Sequence, residues 1–461
     1  MSLLIVLASL IFLMLIAYRG YSVILFAPVA ALAAVLLTDP SLVPPMFSSV
    51  FMEKMVDFVK NYFPVFMLGA VFGKVIELSG FSKSIVSAVI RLLGKNRAVM
   101  SIVAVCAILT YGGVSLFVVV FAVYPFAAEM FRQSEIPKRL IPCTIALGAF
   151  SFTMDALPGT PQIQNIIPTS FFQTTTWAAP LLGLIGSVFV LIAGLAYIEI
   201  RRKTAVRSGE GYGTTLLNEP EPFEAETLPS PWIAVLPLVI VGVSNFVLTS
   251  AIHRFYGETH QIALGDHAIV TKIAPVAAIW AVEGALLLGI LTVFIFAWRP
   301  VLAKFADGSK AAVAGALLAS LNTASEYGFG GVIALLPGFV AVKGALQAIP
   351  NPLINEAVSV TVLAGITGSA SGGMSIALAA MADNFIAAAQ AAHIPLDVLH
   401  RVAAMASGGM DTLPHNGAVI TLLAVTGLTH RQAYKDIFVI TLTKTLAVFV
   451  VIGVYYLTGI Y

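Results

Sequence analysis

The chain carries little charge for its length. Of its 461 residues only 10% are Asp, Glu, Lys or Arg, whereas 59% are hydrophobic, and the mean hydropathy is +0.96. A water-soluble protein of this length needs far more charge to cover its surface, so this composition excludes a soluble globular protein. Apolar runs that reach the roughly 20 residues needed to cross a bilayer recur along the chain, for example 178–200 and 273–297. The sequence therefore predicts an all-α, polytopic membrane protein.

Cysteine is also scarce. Cys106 and Cys143 both lie in apolar segments, which argues against a disulfide framework, and no ligand cluster points to a bound metal or cofactor. The net charge of +2 gives no reason to expect a nucleic-acid partner. The first apolar run lacks a basic start and a small-residue cleavage site, and a second span follows almost at once. We therefore predict that it is a retained helix and not a signal peptide.

Short motifs recur in the same order in the two halves of the chain. A single short match is no evidence for a repeat, but several matches in the same order at a nearly constant offset indicate two copies of one unit. The matches are FGKVI (72–76) with FGGVI (329–333), GF (80–81) with GF (338–339), GGVS (112–115) with GGMS (372–375), IP (136–137) with IP (394–395), and MDALP (154–158) with MDTLP (410–414).

The duplication divides the chain into two repeats. We predict repeat 1 at 1–200, a cytoplasmic linker at 201–230 and repeat 2 at 231–461, the linker having a polar composition typical of disorder. Each repeat is expected to contain about five spans, one of them interrupted, and one re-entrant helical hairpin. Expected spans are near 2–18, 21–38, 62–80, 138–175 and 178–200, with a hairpin at 98–132; then 231–250, 275–297, 311–337, 395–427 and 435–459, with a hairpin at 352–391.

An odd number of spans gives the two repeats opposite orientations. Lys and Arg test this expectation, because they concentrate on the cytoplasmic side of membrane proteins. With the linker in the cytoplasm and both termini periplasmic, most Lys and Arg residues fall inside. Those expected outside are Lys54, Lys60, Arg254, Lys272, Lys343 and Arg401. The charge bias therefore supports two inverted repeats in a bacterial inner membrane.

Four segments interrupt the apolar pattern. TYGGVS (110–115) and TGSASGGMS (367–375) introduce small, flexible residues, and DALPGTP (155–161) and DTLPHNG (411–417) introduce prolines that break helices. Irregular backbone survives in a bilayer only where it is buried in protein or lines a cavity. Paired breaks in two inverted repeats indicate a transporter binding site near the midplane, where helix N-termini attract anions. The alternatives are close helix packing at the glycines and simple proline kinks.

Acidic residues at these breaks are candidates for ion coupling. An aspartate inside a span costs about 2.5–3.5 kcal/mol on insertion scales, so Asp155 and Asp411 are functional candidates, with helix capping as the alternative. Glu326 precedes an anchor motif and is a third candidate, although its counterpart in repeat 1 is Gly69. His415 titrates near neutral pH if it is accessible; a buried, hydrogen-bonded histidine is the alternative.

Two stretches resemble a known family. NTASEYGFGGVI (322–333) resembles the Asn-Thr-Ala-Ser-x-x-Gly-Phe-Gly stretch of the gluconate permease (GntP) family in the ion transporter superfamily, and YGGVSLFVVVFAVYPFA (111–127) is similar to its first hairpin. The first break, MDALPGTPQIQNIIP (154–168), differs from the His-, Pro- and Gly-rich break usual in the family. It is similar to the break of diverged members that import short hydroxy acids such as 3-hydroxybutyrate.

The resemblance implies a proton-coupled carboxylate importer that is a homodimer with scaffold and transport domains and moves as an elevator. It also implies that hairpin tips and unwound helices bind the substrate together. The implied substrate-binding residues are Gly112, Gly113, Ser115, Pro158, Gly159, Thr160, Asn322, Thr323, Ser371, Gly372, Gly373, Ser375, Pro414, His415 and Asn416, with Asp155, Asp411 and Glu326 in coupling.

Other functions remain open at this level. The leading hypothesis is a non-enzymatic proton symporter of small organic anions, such as gluconate or 3-hydroxybutyrate. Sodium coupling is the first alternative, because hydroxyl, amide and carbonyl oxygens suit that ion. An intramembrane aspartyl protease ranks low: it also needs two aspartates, but these must share one proton at close range, and the Gly-Gly hairpins would have no role. A passive channel lacks an obvious polar stripe along a pore.

Overall fold

The computed structural model describes residues 2–19, 21–94, 97–213, 217–220, 228–264, 267–414 and 416–461. Helices dominate it, with one two-stranded antiparallel sheet in the connection between two long helices. The first half of the chain forms α1 (Ser2–Tyr18), α2 (Val23–Thr38), α3 (Val43–Met46), α4 (Met52–Leu78), α5 (Phe81–Leu93), α6 (Ala98–Tyr111), α7 (Leu116–Gln133), α8 (Ile141–Ala149), α9 (Phe152–Asp155), α10 (Ile163–Phe172) and α11 (Pro180–Arg207).

The second half has a similar order of elements, but α13 takes the place of α2 and α4, a sheet is added, and the short helices α3 and α9 have no counterpart. It forms α12 (Pro231–Tyr256), β1 (Thr259–Leu264), β2 (His267–Lys272), α13 (Ala274–Leu335), α14 (Pro337–Gln347), α15 (Pro352–Thr367), α16 (Ala370–Ala391), α17 (Leu396–Gly409), α18 (Gly417–Thr426) and α19 (His430–Thr458). The sheet pairs Thr259 with Lys272 and Leu264 with His267.

The helices have the length and apolarity of membrane spans. Seven of the helical segments in the described residues are long and apolar enough to cross a bilayer. Their outer faces expose large apolar side chains, such as Ile192 (62% exposed) and Ile295 (73%). Exposing such an apolar surface to water is unfavourable, whereas contact with lipid hydrocarbon chains is not. The prediction of an all-α, polytopic membrane protein is confirmed.

Both predicted hairpins and both interrupted spans are present. α6 and α7 form the first hairpin and α15 and α16 the second, with tips at 112–115 and 368–369. The anchor dipeptide GF lies at the start of a short helix in each half, α5 or α14, which the sequence analysis did not predict. This shared order supports the internal duplication. The opposite orientation of the halves stays a prediction.

The connection between two predicted spans is shorter than expected. The sequence analysis placed a cytoplasmic loop between spans 275–297 and 311–337. In the structure α13 consists of two helices that meet at Ala297, whose backbone is not helical (φ −138°, ψ 33°), and residues 298–310 belong to the second helix. The charged residues that suggested a loop, such as Lys304 and Lys310, lie on exposed helix surface.

The core lies around α8 and α17. Every residue of α8 is buried, as is every residue of α17 from Val398 to Gly409. Small residues allow this burial: a Cβ on Gly148 of α8 would lie 2.6 Å from the carbonyl oxygen of Val103 in α6. The two helices that lead into the breaks are therefore the most enclosed parts of the molecule.

The linker is more ordered than its composition predicted. Lys138 donates to the carbonyl oxygen of Leu217 at 2.6 Å, and Tyr124 of the first hairpin donates to the carbonyl oxygen of Asn218 at 2.8 Å. Arg139 pairs with Glu210 at 2.6 Å, and this hydrogen-bonded guanidinium lowers the pKa of the Glu210 carboxyl. The described linker residues thus bind the bundle, and the expectation of disorder is wrong for them.

Candidate functional site

The first break separates α8 from α10. Ser151 leaves the helical region (φ −135°, ψ −131°), which frees the carbonyl oxygen of Phe150 from the helical pattern. Pro158 and Pro161 lack amide hydrogens, so a continuous helix does not resume until Ile163. Backbone groups in this buried stretch must therefore find partners among side chains.

Side chains of the first hairpin and the first break bond each other. Tyr111 at the hairpin tip donates its hydroxyl to the carbonyl oxygen of Pro158 at 2.9 Å. Gln162 donates its amide to the carbonyl oxygens of Thr110 at 2.7 Å and Val114 at 3.5 Å. The hairpin tip and the break therefore form one structural unit, as expected if both contribute to one binding site.

Two predicted substrate ligands in the first break serve the fold. Gly159 has φ +76°, its amide donates to the carbonyl oxygen of Thr176 at 2.8 Å, and a Cβ there would collide with the indole of Trp177. Thr160 is fully buried and donates its hydroxyl to the carbonyl oxygen of Thr153 at 2.7 Å. Both residues shape the break from the inside.

The second break is held mainly by side chains of α19. Tyr434 donates its hydroxyl to the carbonyl oxygen of Thr412 at 3.1 Å, and His430 Nε2 lies 2.8 Å from the carbonyl oxygen of Pro414. The hydroxyls of Thr412 and Thr441 are 2.6 Å apart. These bonds satisfy carbonyls that the interrupted helix leaves free.

Asn416 joins the second break to the second hairpin. Its Oδ1 accepts from the amides of Ala418 at 2.7 Å and Val419 at 3.2 Å, so it caps α18. Its Nδ2 donates to the carbonyl oxygen of Gly368 at 2.7 Å, at the hairpin tip. His415, predicted as a substrate ligand, lies outside the described residues.

The predicted NTASE motif faces the second hairpin. The hydroxyls of Thr323 and Ser371 are 3.1 Å apart, and Ser369 accepts from the amide of Gly372 at 3.1 Å. Glu326 is buried against Gly372, because a Cβ on that glycine would overlap its carboxyl group. The structure therefore brings the predicted residues of α13 and the hairpin together.

Some polar atoms in this region are left without partners. Among the described residues, Oε2 of Glu326 and the hydroxyls of Ser325 and Ser375 are buried and make no hydrogen bond. Asn322, one turn before Glu326, is partly exposed. Buried polar atoms of this kind are costly unless an ion, a proton or water engages them, so they mark a place where a small ligand can bind.

The glycines at the hairpin tips lie in close packing contacts. Gly113 requires a positive φ of +95°, and a Cβ on Gly112 would lie 2.6 Å from Leu238. Gly373 lies against the backbone of Ala364 in the other limb of its hairpin. The alternative interpretation, that the glycines permit close packing, therefore holds at these positions, and it is compatible with a nearby site.

Arg401 connects the two halves at the breaks. Its Nη1 donates to the carbonyl oxygen of Asp155 at 2.9 Å and to Oδ1 of Asn165 at 3.0 Å, and its Nη2 donates to the carbonyl oxygen of Ala178 at 2.8 Å. The side chain is fully buried in α17. The sequence analysis placed Arg401 near the start of the span 395–427 and counted it on the outer side of the membrane, but it did not predict that this side chain is fully buried and binds the first break.

His400 extends this network. Its Nδ1 lies 2.6 Å from the hydroxyl of Thr174, and its Nε2 lies 3.2 Å from Oδ1 of Asn165. Asn165 in turn donates to the carbonyl oxygens of Thr160 at 3.0 Å and Thr176 at 2.8 Å. A fully buried network thus fixes the first break to α17.

Lys444 provides a second connection. It lies in the middle of α19, is only 3% exposed, and forms an ion pair with Asp411 in the second break. Its ammonium group also donates to the carbonyl oxygen of Phe150 in the first break at 2.9 Å. One side chain therefore binds both interrupted helices.

The two predicted aspartates have different surroundings. Asp411 has the Lys444 ammonium as its partner, whereas Asp155 has no ion pair within 4.0 Å among the described residues. The Asp155 carboxylate lies directly against Gly408 of α17, where a Cβ would overlap it. Asp411 therefore has a direct ion-pair partner, and Asp155 does not.

The helix N-termini at the four breaks also differ. Ser369 caps α16 and Asn416 caps α18, but the residues at the corresponding positions of repeat 1, Ser115 before α7 and Gln162 before α10, cap nothing with their side chains. The two uncapped N-termini lie together, because Gln162 reaches the carbonyl oxygen of Val114. Their amides present a positive electrostatic potential to an anion.

Accessible surface at the breaks is limited. Two cavities in the described part of the chain lie elsewhere: one of about 260 Å³ beside Pro352 and Asn384, and a shallow one of about 590 Å³ beside Arg254. Neither is lined by residues of the four breaks. The partly exposed residues around the breaks are Tyr111, Ser115, Leu157, Pro158, Gln162, Asn322, Ser369, Ser371, Leu413, Pro414 and Asn416.

Known proteins were compared with this chain. It is 58% identical over 472 residues to a protein of Bacillus subtilis (strain 168) named uncharacterized transporter YxjC, and the alignment covers 100% of both chains. No protein-family model matches the chain. Among solved structures, the crystal structure of the Alcanivorax borkumensis YdaH transporter is similar over 92% of this chain and 90% of that one, with 15% identity and a TM-score of 0.49. A similarity of that size carries no information about the site.

Proposed function

The chain belongs to the same transporter family as YxjC, and from this premise we propose that it is a secondary active transporter that imports small organic anions together with protons. The substrates we propose are short hydroxy monocarboxylates, such as 3-hydroxybutyrate or gluconate, in keeping with the resemblance to the gluconate permease family. The chain is then a multi-pass protein of a bacterial inner membrane, with its linker in the cytoplasm and its termini in the periplasm.

One observation carries the proposal. The first hairpin and the first break bring two uncapped helix N-termini, at Ser115 and Gln162, to a partly exposed position in the bundle. Helix N-termini that meet in this way attract a carboxylate without any basic side chain. Tyr111 and Gln162 line the same position and can orient the hydroxyl group of a hydroxy acid.

Arg401 does not serve as the carboxylate ligand in this proposal. Although it is a buried cation near the first break, its donors are directed to the carbonyl oxygens of Asp155 and Ala178 and to Asn165. A guanidinium group committed to three protein acceptors has little capacity left for a substrate. Arg401 instead holds the break in the shape that exposes the N-termini.

We assign proton coupling to Asp155 and Glu326. Both carboxyl groups are buried and neither has an ion pair within 4.0 Å among the described residues, and a buried carboxylate without a direct counter-ion is costly enough that it favours binding a proton or a cation. Asp411 is already neutralised by Lys444. In this proposal Asp411 therefore has no coupling role and serves as the fixed ion-pair partner of Lys444.

Sodium coupling is the second candidate. Glu326 lies beside Gly372, and the hydroxyls of Thr323, Ser369 and Ser371 are close together at the same hairpin tip. A carboxylate with several hydroxyl oxygens is a ligand set that suits a hard cation such as sodium. An aspartyl protease fits less well, because Asp411 pairs with a lysine and does not share a proton with Asp155.

The resemblance also suggests the type of movement. We propose that the hairpins, α8–α10 and α17–α18 form a transport domain that moves as an elevator against a scaffold of α1, α2, α4, α12 and α13, in a homodimer. The exposed apolar surface of the scaffold helices supports a position next to lipid or a second protomer.

Uptake into proteoliposomes tests the proposed function. Purified protein is reconstituted, radiolabelled hydroxy and keto monocarboxylates are screened, and a proton or sodium gradient is imposed separately. We expect uphill accumulation of a short hydroxy acid with an inward proton gradient in sodium-free buffer, and its loss in Glu326→Gln. Glu283→Gln, on the same helix but away from the hairpin, is the matched control. Accumulation that needs sodium and ignores pH would overturn the proton assignment.

A further inference from the structure

Lys444 lies far from either end of α19. It is the fifteenth residue of a helix that runs from His430 to Thr458, so its Cα is about 20 Å from each end. A lysine this deep in a span is expensive, and its ammonium group needs partners that remove the cost. Its burial to 3% exposure shows that solvent does not supply them.

The partners of the ammonium group come from both breaks. Asp411 contributes a carboxylate from the second break, and Phe150 contributes a carbonyl oxygen that the end of α8 leaves free. These two groups belong to different halves of the chain and come together where the interrupted helices cross. A carboxylate and a freed carbonyl are also the ligands that bind alkali cations in interrupted membrane helices.

Hydroxyl groups lie on the same stretch of α19 and in the second break. The hydroxyl of Thr441, one turn before Lys444, lies 2.6 Å from that of Thr412. A Cβ on Gly409, two residues before Asp411, would meet the hydroxyls of Thr445 at 3.1 Å and Thr361 at 3.6 Å. Shortening the lysine side chain would open space beside the Asp411 carboxylate and the Phe150 carbonyl oxygen.

We propose that Lys444 is a tethered cation that occupies an alkali-ion position at the crossing of the two breaks and thereby excludes sodium from it. This inference rests on the proposed function, since it assigns to Lys444 the choice of coupling ion at this crossing. The ammonium group supplies the positive charge that holds Asp411 and Phe150 together, so no sodium ion is needed there.

The inference makes a prediction that a purely structural ion pair does not. Lys444→Ala removes the ammonium group and leaves room for a hydrated sodium ion beside Asp411. Lys444→Met removes the charge but fills the space, so it should bind no ion. In the double variant Lys444→Ala/Asp411→Asn the carboxylate is also gone, and any sodium affinity created by the first change should be lost.

The test measures thermal unfolding of purified protein in detergent, in 100 mM sodium chloride and in 100 mM choline chloride. We expect Lys444→Ala to gain about 2–4 °C in Tm from sodium. Wild type, Lys444→Met and the double variant should show no difference between the salts. Binding of radioactive sodium to the same samples provides a second readout. Lys74→Ala, which removes an exposed ion pair with Glu77, is the control for lysine loss.

Equal stability of Lys444→Ala in the two salts, with no bound sodium, would overturn the inference. If Lys444→Ala does not survive purification, the amount of folded protein recovered after extraction is compared in the two salts. Recovery in sodium alone supports the inference. Loss of Lys444→Ala in both salts, while Lys444→Met/Asp411→Asn is recovered, contradicts it. No substrate enters these measurements. Failure of the sodium response is therefore distinct from failure of carboxylate uptake.

Discussion

The two breaks share the sequence pattern Met-Asp-x-Leu-Pro, but their aspartates and backbone groups have different partners. In the first, Asp155 has no ion pair, and the backbone is satisfied by side chains such as Arg401 and Tyr111. In the second, Asp411 pairs with Lys444 and Asn416 caps the helix that follows. Duplication thus preserves the backbone interruption while the electrostatics diverge.

This difference suggests a division of labour. The first break and its hairpin leave helix N-termini at Ser115 and Gln162 without caps, and one carboxylate without a counter-ion, which are properties of a site that binds ligands. The second break and its hairpin are capped at Ser369 and Asn416, which are properties of a stable frame. The exception is Glu326, which brings to the second hairpin a carboxyl group with one oxygen, Oε2, that has no hydrogen-bond partner.

Replacing each aspartate with asparagine should give the largest difference in stability between the two breaks. Asp411→Asn leaves the Lys444 ammonium group buried without its partner, which should lower the free energy of unfolding by about 3–5 kcal/mol. Asp155→Asn loses no ion pair and should stay within about 1 kcal/mol of wild type. Unfolding in detergent with increasing denaturant measures both. The double variant Asp411→Asn/Lys444→Met should recover most of the loss; equal effects of the two single changes would contradict the assignment.

Removing Arg401 should affect the first break specifically. Arg401→Met leaves the buried carbonyl oxygens of Asp155 and Ala178 without donors, at about 1–3 kcal/mol for each. The same unfolding assay measures the loss, with Arg254→Met on the exposed end of α12 as the control. A loss no larger than in that control would show that the network does not hold the break.

Equivalent glycines allow a finer comparison of the repeats. A Cβ on Gly330 would lie 2.9 Å from Cα of Ile376 in the second hairpin, whereas the nearest atoms to a Cβ on Gly73 are 3.6 Å away, on Ser115 and Val118. Gly330→Ala should therefore lower stability by about 1–3 kcal/mol. Gly73→Ala should be neutral or slightly stabilising, because alanine favours the helix. The reverse order would mean that the helix–hairpin contacts are misplaced.

The smallest expected effect concerns the caps. Ser369→Ala removes a hydrogen bond to the amide of Gly372 and should cost about 1 kcal/mol of stability. Ser115→Ala removes no cap, so stability should not change, but the KM for the transported anion should rise. Unfolding and uptake assays on the same preparations separate the two outcomes. A stability loss in Ser115→Ala with unchanged KM would remove this serine from the site.

Much of the architecture was predictable because it depends on local signals. Apolar runs gave the spans, and glycine and proline at 112–113 and 158–161 gave the hairpin and the break, since these residues act on their own backbone. The connection expected within 298–310 is instead a single non-helical residue at Ala297, because Lys304 and Lys310 are compatible with an exposed helix surface as well as with a loop.

The connections between the breaks were not predictable. Arg401 reaches Asp155, and Lys444 reaches Phe150, across distances in sequence that no motif or periodicity encodes. The available signals were weak. Lys444 lies within a predicted span, and a charged residue in a span needs a partner, but which residue is the partner depends on helix packing. Arg401 and His400 lie near the start of the predicted span 395–427, where a charged or polar side chain is as compatible with an exposed membrane surface as with a buried network.

Proton-driven accumulation by wild type and Asp155→Asn, in the same sodium-free vesicles, tests the central claim most directly. If the unpaired aspartate of the first break couples protons to anion transport, wild type will concentrate the anion above its external level when an inward proton gradient is imposed. The variant will still exchange labelled for unlabelled anion but will not concentrate it. Equal accumulation by both proteins would contradict the account.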